Sequence, residues 1–172
     1  MNLDEKTLST EYIYKGKILN LRKDKVELPN GNQSTREVVE HSGGSCVYCE
    51  VDGKVLLVKQ FRYPYKKQLL ELPAGKLNPG ENPENTAIRE LEEEGGILAK
   101  TVELIHKIYP STAYTEEVIY IYKAKDVMKT QKHLDDDEFL DSVWIDKKTL
   151  KEMIKKGEIN DAKTLVALLS EL

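Results

Sequence analysis

Glu90, Glu93 and Glu94 stand at i, i+3 and i+4, a spacing that puts three carboxylates on one face of a helix. Glu92 adds a fourth acid to the same segment, and Arg89 precedes them. Gly95 and Gly96 follow directly and are expected to stop the helix, so the acids crowd its C-terminal end. The backbone dipole is negative there and repels them. Folding alone would favour Lys or Arg in that turn, and a divalent cation is the simplest neutraliser. Ionised carboxylates are hard oxygen donors that suit Mg²⁺ or Mn²⁺. His41, His106 and His133 are too scattered for a zinc-type site. Arg89 and Glu93 make an i, i+4 pair that can hold one acid in place. The Pro73-Ala74-Gly75 loop is expected to approach the same face and offer a carbonyl oxygen. A solvated acidic face is the plain alternative, and the helix dipole weakens it.

These acids need a helix and a sheet to hold them. Asn82 can cap a helix with Pro83 at its first position, running to about Glu94 with Ala87, Leu91 and Ile88 inward. Residues 11–28 and 35–40 read as strands around the turn Pro29-Asn30-Gly31-Asn32. Ser45–Glu50 and Lys54–Gln60 read as a hairpin about Asp52-Gly53. The unbroken apolar run Val55–Val58 predicts a strand buried on both faces. The segment from Phe61 to Glu81, rich in Pro and Gly, reads as an ordered loop. Further strands are expected over 101–109, 117–125 and 142–145, with an acidic loop at 131–138. Helices follow over about 147–156, capped by Asp146 and ended by Gly157, and over 161–172. Hairpins mixed with a few helices predict an α/β sandwich around a mixed sheet.

Length and charge narrow the function. The 172 residues suit a single domain with a real core. A net charge of −4 argues against a general nucleic-acid binder. No apolar run reaches the length of a membrane span, and the first residues carry no apolar leader, so a cytoplasmic protein is expected. Cys46 and Cys49 form a C-x-x-C pair, but residues three apart in a strand face opposite sides, which predicts two packed thiols rather than a redox or zinc motif.

Gly75, Glu81, Arg89, Glu90, Leu91, Glu93, Glu94, Gly96 and Ile97 fill every position of a known signature. By that signature the chain resembles the Nudix hydrolases. The resemblance implies an α/β/α sandwich with an N-terminal antiparallel strand segment, about 1–42, ahead of a catalytic core over about 43–172. It implies that Glu90, Glu93, Glu94 and the Ala74 carbonyl hold catalytic Mg²⁺, with Mn²⁺ a substitute. Arg89 would orient an acid, and Glu93 would serve the chemistry directly. The family hydrolyses a nucleoside diphosphate linked to another group.

Outside the signature the chain is similar to the ADP-ribose pyrophosphatase branch, through Arg36-Glu37-Val38-Val39-Glu40-His41, Gln60-Phe61-Arg62-Tyr63-Pro64, Glu71-Leu72-Pro73-Ala74-Gly75 and Gly157-Glu158-Ile159-Asn160-Asp161-Ala162. That likeness implies substrate contacts at Arg36, Glu37, Arg62 and Glu71. It gives Glu138 a role in activating water or binding a further metal, with Asp136 and Asp137 as substitutes. It also implies a homodimer whose N-terminal strands help build the partner's site, where Tyr12 and Tyr14 could stack on a base. The branch usually carries Ser-Pro-Gly where this chain has Ser111-Thr112-Ala113, which leaves other nucleotide sugars, such as GDP-mannose, open as substrates. A non-catalytic nucleotide-sugar sensor is the rival reading, and the complete set of signature acids argues against it.

Overall fold

The computed structural model describes residues 2–134 and 138–172, so Asp136 and Asp137 lie outside the described residues. The chain divides into two compact units. One holds residues 1–43 and 109–118, and the other holds 44–108 and 119–172.

The first unit is an antiparallel sheet in the order β1 (Lys6–Lys15), β2 (Leu19–Glu27), β3 (Gln33–His41). The turn signal at 29–32 sits between β2 and β3, with Leu28 N–H donating to Asn32 O at 2.8 Å. Polar side chains bind the strands. Arg22 donates to Glu40 at 2.6 Å, Asp24 at 3.0 Å and Glu116 at 3.2 Å. Thr112–Tyr114 form a turn, and Val39 N–H donates to Tyr114 O at 2.7 Å. The residues that depart from the branch pattern therefore lie in a segment tied to β3.

The second unit is built on two sheets. One is mixed, in the order β8 (Ala74–Lys76), β4 (Gly44–Tyr48), β10 (Ile119–Lys129), β9 (Ile97–Ile108), with β10 parallel to β4. The other joins β11 (Leu140–Asp146), β6 (Lys54–Arg62) and β5 (Glu50–Val51), with β7 (Lys67–Glu71) also paired to β6. Helix α1 (Pro83–Gly95) supplies Ala87 and Leu91 to one core with Val47, Cys49 and Leu56. Helices α2 (Lys147–Lys155) and α3 (Ala162–Glu171) supply Leu150, Ala167 and Leu168 to another with Cys46, Val55, Leu57 and Leu72. Alternation along β6 sends Val55 and Leu57 to one core and Leu56 to the other, which is the two-sided burial its apolar run predicts. Cys46 and Cys49 likewise enter different cores. The helices cover both faces, as an α/β/α sandwich requires.

The segment from Phe61 to Glu81 is more ordered than a loop. A short 3-10 turn at Tyr63–Tyr65 and a left-handed Lys66 (φ 53°) reverse the chain, so that Lys67–Glu71 returns along β6. Proline and glycine mask this because they occupy the turns rather than the strands. Gly95 also belongs to α1, and Gly96 alone ends it, at φ 63°.

Candidate active site

Helix α1 begins where its capping residues place it. Asn82 accepts a hydrogen bond from Glu84 N–H at 3.0 Å, and Pro83 occupies the first position. Its last turn holds no basic residue. Glu90 and Glu94 lie on the buried side, 6% and 2% exposed, while Glu93 and Arg89 are half-buried.

Arg89 organises the acids. Its Nη1 donates to Glu90 Oε1 at 2.7 Å and to Glu93 Oε2 at 2.7 Å, while Nε donates to Glu81 Oε1 at 3.2 Å. Glu94 faces β8 instead and accepts from Ala74 N–H at 2.9 Å. Gly75 lets that strand come close, since a Cβ there would stand 1.7 Å from Glu90 Oε1. The signature glycine thus leaves room for the signature acid.

Burial pushes the Glu90 carboxyl up to about 7, against the pull of Arg89, with Glu93 and Glu138 pushing further. Burial takes Glu94 to about 8, opposed by the Ala74 N–H and reinforced by Glu90 and Glu138. Two adjacent acids thus resist ionisation chiefly because burial strips water from both, with neighbouring carboxylates adding repulsion. Glu138 is half-buried and adds its repulsion to both. It also borders an open cleft of about 420 Å³ with Lys59, Phe61, Gln68 and Phe139.

No group of three or more His, Cys, Asp and Glu side chains is gathered as a metal cage among the described residues. Arg89 lies between Glu90 and Glu93, and Glu94 turns to Ala74. The donor set is nonetheless all oxygen, and the excess of buried negative charge suits a hard divalent cation.

Arg62 and Glu71 meet across β6 and β7. Arg62 Nε and Nη2 donate to the two Glu71 oxygens, each at 2.6 Å. Glu71 is 2% exposed. Burial alone would raise its pKa, but Arg62 and Lys163 overcome that and bring it down to about 2. Arg36 and Glu37 belong to the first unit, on β3. Arg36 pairs with Glu5 and donates to Thr35 O at 2.9 Å, and Glu37 is exposed opposite Lys23.

The NUDIX domain model matches residues 40–168, which include every acid of the α1 site. The chain belongs to the Nudix family. Residues 5–39 match the nucleoside diphosphate sugar hydrolase N-terminal domain. An ADP-ribose pyrophosphatase of Bacillus subtilis is 41% identical, over 97% of this chain and 92% of its own length. A methanol dehydrogenase activator of Bacillus methanolicus is 40% identical, over 96% and 91%. The crystal structure of an ADP compounds hydrolase shares the fold, with a TM-score of 0.86 over 98% of this chain and 93% of that one, at 21% identity. The α/β sandwich read from the sequence is therefore the Nudix fold.

Sequence reasoning missed Lys163, which holds Glu71 from α3 across 92 residues of chain. Asp161, within the Gly157–Ala162 segment, is its second partner.

Proposed function

We propose that this Nudix hydrolase cuts the pyrophosphate bond of ADP-ribose, or of a closely related nucleoside diphosphate sugar, into a nucleoside monophosphate and a sugar phosphate. The observation that carries this reading is the buried Glu90–Glu94 pair, whose negative charge exceeds what Arg89 balances. The full-length likeness to an ADP-ribose pyrophosphatase supports the substrate class.

Glu90, Glu93, Glu94 and the Ala74 carbonyl would hold Mg²⁺, or Mn²⁺ in its place. Such ions, when bound, offset the diphosphate's charge and make water a better nucleophile. Arg89 Nη1 donates to both the Glu90 and Glu93 carboxylates, which limits the rearrangement needed at the reacting centre. Arg62 offers its guanidinium to phosphate oxygens. Glu71 works through Arg62, since both its oxygens are engaged. Glu138 takes a proton from the attacking water, being half-buried and within electrostatic reach of both deep acids. Arg36 and Glu37 would contact the substrate.

The protein acts in the cytoplasm as a homodimer joined through residues 1–42. Every residue of β1 is exposed, and its Leu8, Tyr12, Ile13 and Tyr14 offer large apolar side chains for a partner to cover. No helix among the described residues is long and apolar enough to cross a membrane. Membrane and nucleic-acid partners have no part in the reading.

The test is incubation with Mg²⁺ and a panel of ADP-ribose, ADP-glucose, GDP-mannose and NADH, with product analysis and a chelator control. AMP and ribose 5-phosphate from ADP-ribose are expected, and none with chelator. Release of neither product, with every other nucleotide sugar also intact, would sink the hydrolase reading. Glu93→Gln and Glu94→Gln should each lose most activity while staying folded.

A further inference from the structure

Lys163 is a lysine in the wrong place for surface chemistry. It sits in the first turn of α3 and is 8% exposed. Its Nζ donates to Glu71 Oε2 at 2.6 Å and to Asp161 Oδ2 at 3.0 Å. Asp161 is itself fixed, as the N-cap of α3, by Thr164 N–H at 3.0 Å and Thr164 Oγ1 at 2.6 Å. Taking an ammonium out of water is costly, and an apolar side chain of similar length would fill the same space without that cost. The buried charge therefore asks for a role.

Arg62 shows what that role is. One carboxylate facing one guanidinium would largely cancel its charge. Glu71 does not do so alone, because its Oε2 accepts from Lys163 as well as from Arg62 Nη2. The balancing Asp161 lies against Lys163 and makes no hydrogen bond to Arg62. Positive charge is thus left on the outer edge of Arg62. That side chain is 39% exposed, and its Nη1 donates to no described residue. Its charge also acts on Glu94, one of the site acids.

The same helix holds the neighbouring backbone. Thr164 Oγ1 accepts from Leu72 N–H at 2.9 Å, two residues before Ala74, whose N–H binds Glu94. Residues 71–74 are therefore tied to α3 at one end and to α1 at the other.

We propose that Lys163 is a positioning residue, which grips Glu71 so that Arg62 presents a fixed and still-charged Nη1 edge to the diphosphate of the substrate. The proposal rests on the hydrolase reading for its ligand class, a nucleoside diphosphate. Lys163 itself touches no substrate. It acts through Glu71, and its loss should appear as weaker substrate binding more than slower chemistry.

The experiment is a double-mutant cycle with Arg62. Lys163→Met should raise KM for ADP-ribose about tenfold and leave kcat within about threefold, the size of a typical coupling between charged neighbours. Lys163→Arg, which keeps the charge, should recover most of the loss. In an Arg62→Met background, Lys163→Met should add less than about a twofold change, because its route to substrate is gone. A merely structural lysine would give the same loss in both backgrounds, and that result overturns the proposal. So does an unchanged KM in folded Lys163→Met protein. If the methionine variant does not fold, Lys163→Gln keeps a donor without the charge and should show the same KM rise.

Calorimetric titration with the uncleavable α,β-methylene analogue of ADP-ribose and Mg²⁺ separates the two readings. A wild-type protein that binds the analogue but releases no product from ADP-ribose refutes the hydrolase assignment alone, and the affinity ratio in the cycle still tests Lys163. A wild-type protein that binds no analogue refutes both.

Discussion

Removing divalent metal should make this protein less stable as pH rises, the opposite of ordinary acid denaturation. Glu90 and Glu94 carry pKa values of about 7 and about 8 against an ordinary 4.5, burial being the main cause in each. A raised acid binds more protons when folded than when unfolded, so its stability is greatest below 4.5 and is lost as pH climbs through the folded value. At about 1.4 kcal/mol per pH unit, the rise from pH 5.5 to 8.5 costs about 2 kcal/mol at Glu90 and about 3 kcal/mol at Glu94. Glu90 is one cause of the shift at Glu94, so the figures overlap, and about 3 kcal/mol is a fair total. For a chain of this size that lowers Tm by about 6–12 °C. Glu71 stays out of this window, since its stability is lost only below 4.5 toward about 2. The assay is thermal unfolding of chelator-treated protein at pH 5.5 and 8.5, with and without millimolar Mg²⁺. Mg²⁺ should raise Tm at pH 8.5 and do little at pH 5.5, where protons already occupy the acids. Glu94→Gln should flatten much of the slope. A metal-free Tm that is level or rises across this range would refute the reasoning, as would an undiminished slope in Glu94→Gln.

Gly75→Ala places a Cβ 1.7 Å from Glu90 Oε1, so Glu90 must leave Arg89. Activity should fall about a hundredfold for about 1–3 kcal/mol of stability, and near-normal turnover would show that Glu90 need not stand there. Glu71→Gln strips the buried Lys163 and Arg62 of their shared anion, and chemical denaturation should report about 3–5 kcal/mol lost. Cys46 and Cys49 are fully buried, with burial pushing both thiols up to about 12, so a thiol reagent should label neither until denaturant is added. Rapid labelling of the native protein would contradict the two-core placement.

The elements legible in the sequence are those specified by neighbours along the chain. Asn82, Pro83 and Gly96 bound α1 by their own backbone chemistry, and Glu90 to Glu94 declare their common face by spacing. Val55–Val58 announces two-sided burial because no polar residue interrupts it. β7 was hidden because its partner is β6, reached through a turn that depends on Lys66 adopting a left-handed conformation. Nothing about a lysine advertises that geometry.

The candidate site divides along the same line. Arg89, Glu90, Glu93 and Glu94 come from one helix, so their mutual positions follow from its pitch. Gly75 and Ala74 become part of the site only when β8 is brought against that helix, and a clash of 1.7 Å is invisible until both are placed. Lys163 is harder still, since it meets Glu71 across 92 residues of chain. Burying a lysine there is tolerable only because Glu71 and Asp161 wait for it, and neither has a local reason to do so. The acids of α1 tell which reaction the fold can support. What grips the substrate is assembled by contacts remote in sequence, so variation at α3 should alter substrate affinity even where the helix α1 acids are untouched.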